Sequence, residues 1–132
     1  MGYLLDSNAI SHIVRFPAGQ VARRLSEIGA EHVFTSVIVS AEILFGVRRK
    51  GSADLAGKVD AVLSRLTVAP TEKPADQRYA ELRCSLEKSG KPIGPNDLFI
   101  AAHALALGAV LVTDNEKEFS RVPGLKVENW LR

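Results

Sequence analysis

The sequence predicts an α/β fold, with a central, mostly parallel sheet of four to five strands and helices on both faces. Three observations predict it. Short strand-type runs such as Tyr3-Leu4-Leu5 and Val110-Leu111-Val112-Thr113 alternate with stretches of helical periodicity along the whole chain. The helical stretches are punctuated by Gly and Pro at positions that stop helices. The length of 132 residues is that of one ordinary domain, and no linker, repeat or low-complexity tract divides it, so residues 1–132 read as a single domain.

The first strand covers residues 3–5. Ser7 and Asn8 are good caps for a helix over 9–15, which Pro17 ends. A second helix over 18–28 places Val21, Leu25 and Ile28 on one face, and Gly29 closes it. His32-Val33-Phe34-Thr35 is a second strand. Ser36 caps a helix over 37–49, with Gly51 beyond its end. A helix over 53–66 leads to a small strand at 67–69. Pro74 suits the first turn of a long helix that reaches Ser89. Gly90-Lys91-Pro92-Ile93-Gly94-Pro95-Asn96 is a loop. Asp97 opens the next helix, which ends near Leu107 and Gly108. Strands over 110–113 and 127–129 complete the sheet.

Composition narrows the function. Hydrophobic residues make up 46% and charged residues 24%, as in an ordinary globular protein. A net charge of +2 permits a nucleic-acid partner without demanding one. The single cysteine, Cys84, excludes an internal disulfide, suits a reducing cytoplasm, and reads as a small packing residue. The longest apolar stretch, Phe99 to Val112, contains His103 and Gly108 and is shorter than the ~20 residues of a membrane helix. Met1-Gly2-Tyr3 runs straight into a strand with no leader, and Asp6 stands where a myristoylation motif has Ser or Thr. His12, His32 and His103 form no zinc pattern. Ser36 and Ser40 lie outside any nucleophile elbow, and no glycine-rich nucleotide loop is present.

The acidic residues carry the chemistry. Asp6 and Asp114 directly follow strands, at the carboxyl ends where open α/β sheets bind ligands. Asp97 sits at a helix start after the loop, and Glu42 lies about two turns into a helix among apolar neighbours. Each has a bland reading. Asp6 suits a cap or turn, Asp97 complements a helix dipole, and Glu42 snorkels or has a partner. Asp114 shares its turn with Asn115 and Glu118, any of which that turn would present. Together the carboxylates raise one another's pKa unless a cation is present, and oxygen-rich sets select Mg²⁺ or Mn²⁺. The chemistry this supports is hydrolysis of a phosphodiester by metal-activated water. Ser7 and Thr113 offer hydroxyls, and Asn8 is placed to orient Asp6.

If the phosphodiester belongs to a nucleic acid, cations must hold its phosphates, because an acidic pocket repels the backbone. Lys91 is favoured because its loop runs into Asp97. Arg48, Arg49 and Lys50 serve either a nucleic-acid backbone or the dipole of their helix end, as do Arg15 and the Arg23-Arg24 pair in their own segments. Five Phe, two Tyr and one Trp are too few for a broad base-stacking platform. Val37, Ile38, Leu44 and Val47 suit an interface or the core equally.

These residues also carry a family likeness. Leu4-Leu5-Asp6-Ser7-Asn8 resembles the opening motif of PIN-domain ribonucleases, with Ser7 in place of the commoner Thr. Ser40-Ala41-Glu42-Ile43-Leu44-Phe45-Gly46 resembles their second motif and Asn96-Asp97-Leu98-Phe99-Ile100-Ala101-Ala102 their third. Val112-Thr113-Asp114-Asn115-Glu116-Lys117-Glu118-Phe119 resembles the fourth, and Pro123 to Trp130 is similar to the close of VapC toxins. The resemblance implies a PIN-like three-layer α/β/α sandwich and a Mg²⁺- or Mn²⁺-dependent endoribonuclease, often acting on tRNA. It implies the toxin of a type II toxin–antitoxin pair, a homodimer, and a VapB-type antitoxin whose tail enters the active-site groove. Asp6, Glu42 and Asp97 match the family's acids, with Asp6 and Asp97 as metal ligands. Asp114 is the candidate fourth acid and Glu118 its competitor.

Three other readings compete. An aspartyl-phosphate phosphatase would need a second Asp where Asn8 stands. A metal-dependent phospho-signalling module would show adjacent acids at the first strand. A catalytically silent PIN-like protein-binding domain would not need acids at all four motifs.

Overall fold

The computed structural model describes residues 2–132; Met1 lies outside the described residues. Five strands form one wholly parallel sheet in the order β3-β2-β1-β4-β5. They are β1 (Tyr3–Leu5), β2 (Val33–Ser36), β3 (Thr67–Ala69), β4 (Val110–Val112) and β5 (Val127–Glu128). Seven helices connect them: α1 (Ser7–Arg15), α2 (Gln20–Ile28), α3 (Val37–Lys50), α4 (Ala53–Leu63), α5 (Ala75–Lys88), α6 (Pro95–Leu107) and α7 (Glu116–Phe119).

The strand order determines where a ligand can sit. From β1 the chain steps to β2 and β3 on one side, then returns past β1 to β4 and β5 on the other. Right-handed crossovers in opposite directions place the two helix sets on opposite faces. Contacts agree: α1 packs on α2, α3 and α4, whereas α5 packs on α6. The connections diverge between β1 and β4, so the crevice of this sheet opens at their carboxyl ends.

The core explains the strand composition. Leu4 and Leu5 of β1 and Leu111 and Val112 of β4 are completely buried, because both sheet faces are covered. Each such leucine contributes roughly 2 kcal/mol by burial. Helix α6 buries Leu98, Ile100, Ala101, Ala102 and Ala104, which accounts for its nearly unbroken apolar sequence.

Local signals place most boundaries. Ser36 caps α3, its Oγ accepting from Ile38 N at 3.1 Å, and Gly51 ends it with φ 67°. Gly108, with φ 64°, ends α6. Several boundaries differ from the sequence expectation. Helix α1 begins at Ser7, because Asp6 is its cap in place of Ser7 or Asn8. Helix α2 starts at Gln20, behind Gly19. Helix α4 stops at Leu63, where Ser64 Oγ donates to Ala61 O and the backbone turns toward β3. Pro74 precedes α5, Pro95 opens α6, and Asp97 is therefore its third residue.

Candidate active site

The parallel pairing of β1 with β4 aligns Leu5 with Val112, so the next residues, Asp6 and Thr113, emerge side by side. Asp6 N donates to Val112 O at 2.9 Å, which continues the ladder by one bond. The Asp6 carboxylate is only 4% exposed, and three donors hold it. Ser7 N donates to Oδ1 at 2.8 Å, and Thr113 Oγ1 and Asn8 Nδ2 donate to Oδ2 at 2.8 and 3.2 Å. Asn8 Nδ2 also reaches Thr113 Oγ1, and its Oδ1 accepts from Asp114 N at 3.0 Å. Asn8 thus ties the first turn of α1 to the segment after β4, as expected of a residue that orients Asp6.

Glu42 comes from the second turn of α3 and Asp97 from the first turn of α6. Their charges reach one another and Asp6. Glu42 Oε1 is buried without a hydrogen-bond partner. The Asn96 side chain lies within reach of the same carboxyl, a contact the sequence signals only through its place beside Asp97. Glu118 closes the site from α7. Its Oε1 accepts from Gly94 N and its Oε2 from Asn115 Nδ2, both at 3.1 Å, and its carboxyl meets that of Asp97. Asp114 is exposed and adds its charge beside Asp6. Between the two candidates for fourth acid, Glu118 is thus the one in direct contact with Asp97.

The electrostatics follow from burial and crowding. Burial raises Asp6 above the usual carboxylate range, with Asp114 adding to it, against the hydrogen bonds from Thr113, Ser7 and Asn8. Burial, then the charge of Asp6, raises Glu42. Asp97 is pushed up to about 7 by burial, then by the charges of Glu118 and Asp6, with smaller effects of its hydrogen bond to Glu118 and the charge of Glu42. Burial also pushes Glu118 upward, but the bonds from Gly94, Asn115 and Asp97 outweigh it and hold it low.

This donor set fits a hard divalent cation. Mutually repelling carboxylates and an uncommitted buried oxygen call for positive charge. Among the described residues no three His, Cys, Asp or Glu side chains converge enough to enclose an ion alone. An open set of this kind suits an ion that keeps several waters and completes its shell with phosphate oxygens. It does not suit a closed zinc cage.

A cleft of about 520 Å³ leads away from the acids between α1, α3 and α4. Ser7 and Glu42 stand at one end, and Arg15, Arg49, Lys50 and Lys58 line it as well. Of the cations weighed in the sequence, Arg15, Arg49 and Lys50 line this cleft, and Arg23, Arg24, Arg48 and Lys91 do not. The place of Lys58 in it depends on packing among three helices and has no local signature.

Residues 3–125 match the PIN domain. The chain belongs to the PIN-domain family. Its relatives place this PIN domain beside the VapC ribonucleases. Ribonuclease VapC2 of Rickettsia felis is 39% identical over 132 residues, covering 98% of each chain. The tRNA(fMet)-specific endonuclease VapC of Salmonella typhimurium is 29% identical over 129 residues, covering 97% of each. Among solved structures, VapBC2 of Rickettsia felis bound to a promoter DNA fragment matches this PIN domain with a TM-score of 0.89 and 38% identity, over 98% of this chain and 99% of that one. The VapBC-1 structure from nontypeable Haemophilus influenzae matches with a TM-score of 0.84 and 34% identity over 100% of both chains.

Proposed function

We propose that this VapC-type PIN domain is the toxin of a type II toxin–antitoxin pair and a Mg²⁺- or Mn²⁺-dependent endoribonuclease. One observation carries the reading. A buried Asp6, fixed by Ser7, Asn8 and Thr113, shares its field with Glu42, whose Oε1 is uncommitted, at the crevice of the sheet. Asp6 and Asp97 would be the ion's principal ligands, with Glu42 and Asp114 beside it. When bound, the cation lowers the pKa of water and offsets charge on the phosphodiester oxygens. Glu42 Oε1 is the site that accepts the proton of the attacking water. Asp97 and Glu118 would hold one proton between them in the free protein, and a bound cation would displace it. A silent binding module would gain nothing from this mutual repulsion, and a metal-dependent phospho-signalling domain would show adjacent acids at the first strand, where Asp6 is followed by Ser7.

Relatives named tRNA(fMet)-specific endonuclease support tRNA as the substrate class. Solved VapBC complexes support a VapB-type antitoxin as partner. An RNA substrate and an antitoxin partner support a cytoplasmic location, and no described helix is long and apolar enough to cross a membrane. Helix α3 supports a homodimer. Val37 and Leu44 are each 45% exposed and Phe45 62%, an apolar stripe that a second copy would cover.

Induced expression in a bacterial host tests the toxin reading. The parent should arrest growth with loss of intact tRNA, and Asp6→Asn should do neither. Equal arrest by Asp6→Asn would overturn the reading.

A further inference from the structure

We infer that the cleft between α1, α3 and α4 carries the RNA strand that flanks the scissile phosphate, with Arg15, Arg49 and Lys50 gripping its phosphates. The inference rests on the endoribonuclease reading and adds the path of the substrate. Its first ground is direction. Helices α1 and α3 both follow strands of a parallel sheet, so both begin at the acidic edge and run back from it. Ser7 and Arg15 stand at opposite ends of α1, and Glu42 lies eight residues before Lys50 on α3. Each spacing is about 12 Å at 1.5 Å per residue. Acids therefore mark one end of the cleft and cations the other.

The second ground is the state of those cations. Among the described residues, Arg15, Arg49 and Lys50 make no ion pair with a carboxylate, whereas Lys58 is paired with Asp54 at 3.1 Å. Unpaired cations at the far end of a cleft that starts at the hydrolytic centre suit a polyanion leaving that centre. Val14, Ile43 and Val47, each partly exposed, line the cleft between the two ends and offer apolar contact to bases.

The third ground is Gly46, in the middle of α3 and on the wall of this cleft. A glycine inside a helix weakens it, and here packing does not require one. A Cβ at Gly46 would meet nothing within 4 Å. The bare backbone keeps the cleft open, as expected where a ligand passes close by.

Three variants test the inference, with binding of fluorescent tRNA and of oligouridylate measured across a salt series in the Asp97→Asn background to prevent turnover. The triple variant Arg15→Gln/Arg49→Gln/Lys50→Gln should bind at least about 10-fold more weakly, and its log–log salt slope should fall by about 2, from ~0.7 per lost phosphate contact on a single strand. Restoring charge with Arg15→Lys and Arg49→Lys beside native Lys50 should recover most of the slope, which a purely structural effect would not allow. Gly46→Leu should melt at a higher temperature than its parent and still bind RNA more weakly. With Asp97 intact, the triple variant should show a raised KM for tRNA. Unchanged affinity and salt slope in a parent that cleaves RNA would overturn the inference alone. The same holds if the variants keep RNA binding and lose only a VapB-type peptide, since the cleft would then be a protein seat. A parent that cleaves no RNA with any metal would overturn the inference together with the reading beneath it.

Discussion

Thr113 Oγ1 donates a 2.8 Å hydrogen bond to Asp6 Oδ2 across 107 positions of sequence. Both residues follow strands, and β1 and β4 are neighbours only because the chain returns past β1 after β3. The bond lowers the pKa of a carboxyl that burial would otherwise raise further. It favours the ionised form of Asp6 and fixes the orientation of its carboxyl.

Thr113→Val keeps the shape and removes that donor. Thr113 is completely buried, so the change should cost about 1 kcal/mol in denaturant unfolding. It should also move the acidic limb of the cleavage pH profile to higher pH, because Asp6 loses its strongest stabilising bond. A profile that does not move would remove Thr113 from the control of Asp6.

Asp97 links function to stability. Its pKa rises from 3.8 to about 7 on folding, so the folded state binds more protons than the unfolded state between those values. Its contribution to stability is therefore lost as pH rises through that window. Asp97→Asn should abolish metal-dependent cleavage and raise the melting temperature of the metal-free protein at about pH 8 more than at about pH 5. Mg²⁺ should raise the parent's melting temperature, also more at the higher pH, and should do so far less for Asp97→Asn. Thermal melts with and without EDTA decide this.

The fourth acid separates by its contacts. Glu118 bonds Gly94 and Asn115 and meets Asp97, whereas Asp114 is exposed. Glu118→Gln should lower the pKa of Asp97 by removing a like charge, and should shift the pH profile accordingly. Asp114→Asn should reduce turnover by less than Glu118→Gln under metal saturation. The reverse ranking, measured by initial rates, would make Asp114 the essential charge.

His103 sets an opposite slope. It is 1% exposed, its Nδ1 lies 2.9 Å from Ser36 Oγ, and its Nε2 has no partner. Burial holds its pKa below 6.5, so the unfolded chain takes up a proton that the folded chain refuses. That contribution to stability is lost as pH falls through about 6.5. His103→Leu should reduce the acid-side loss in a pH series of unfolding midpoints.

Much of this site is legible in the sequence, because its signals are local. Asp6 and Asp114 directly follow strand-type runs, Ser36 is a plain cap for the helix that carries Glu42, and the Gly94-Pro95 pair delivers Asp97 to a helix start. The rest depends on register and packing. Whether Thr113 touches Asp6 is decided by strand order, which no local pattern encodes. Asp114 and Glu118 look interchangeable in the sequence, and the four-residue helix α7 turns Glu118 toward Asp97. Lys91 seemed well placed because its loop leads to Asp97, yet the cleft is lined by cations from the ends of α1 and α3 and from α4. Asp6 reads as a cap, but Ser7 and Asn8 beside it are equally good ones, so the start of α1 is expected two residues late.

The most direct measurement of the central claim is cleavage of purified tRNA by the isolated protein in Mg²⁺, Mn²⁺ or EDTA, with Asp6→Asn prepared in parallel. Discrete fragments that require both the metal and Asp6 are the predicted result. Fragments that persist in EDTA or with Asp6→Asn would contradict a metal-dependent centre built on Asp6.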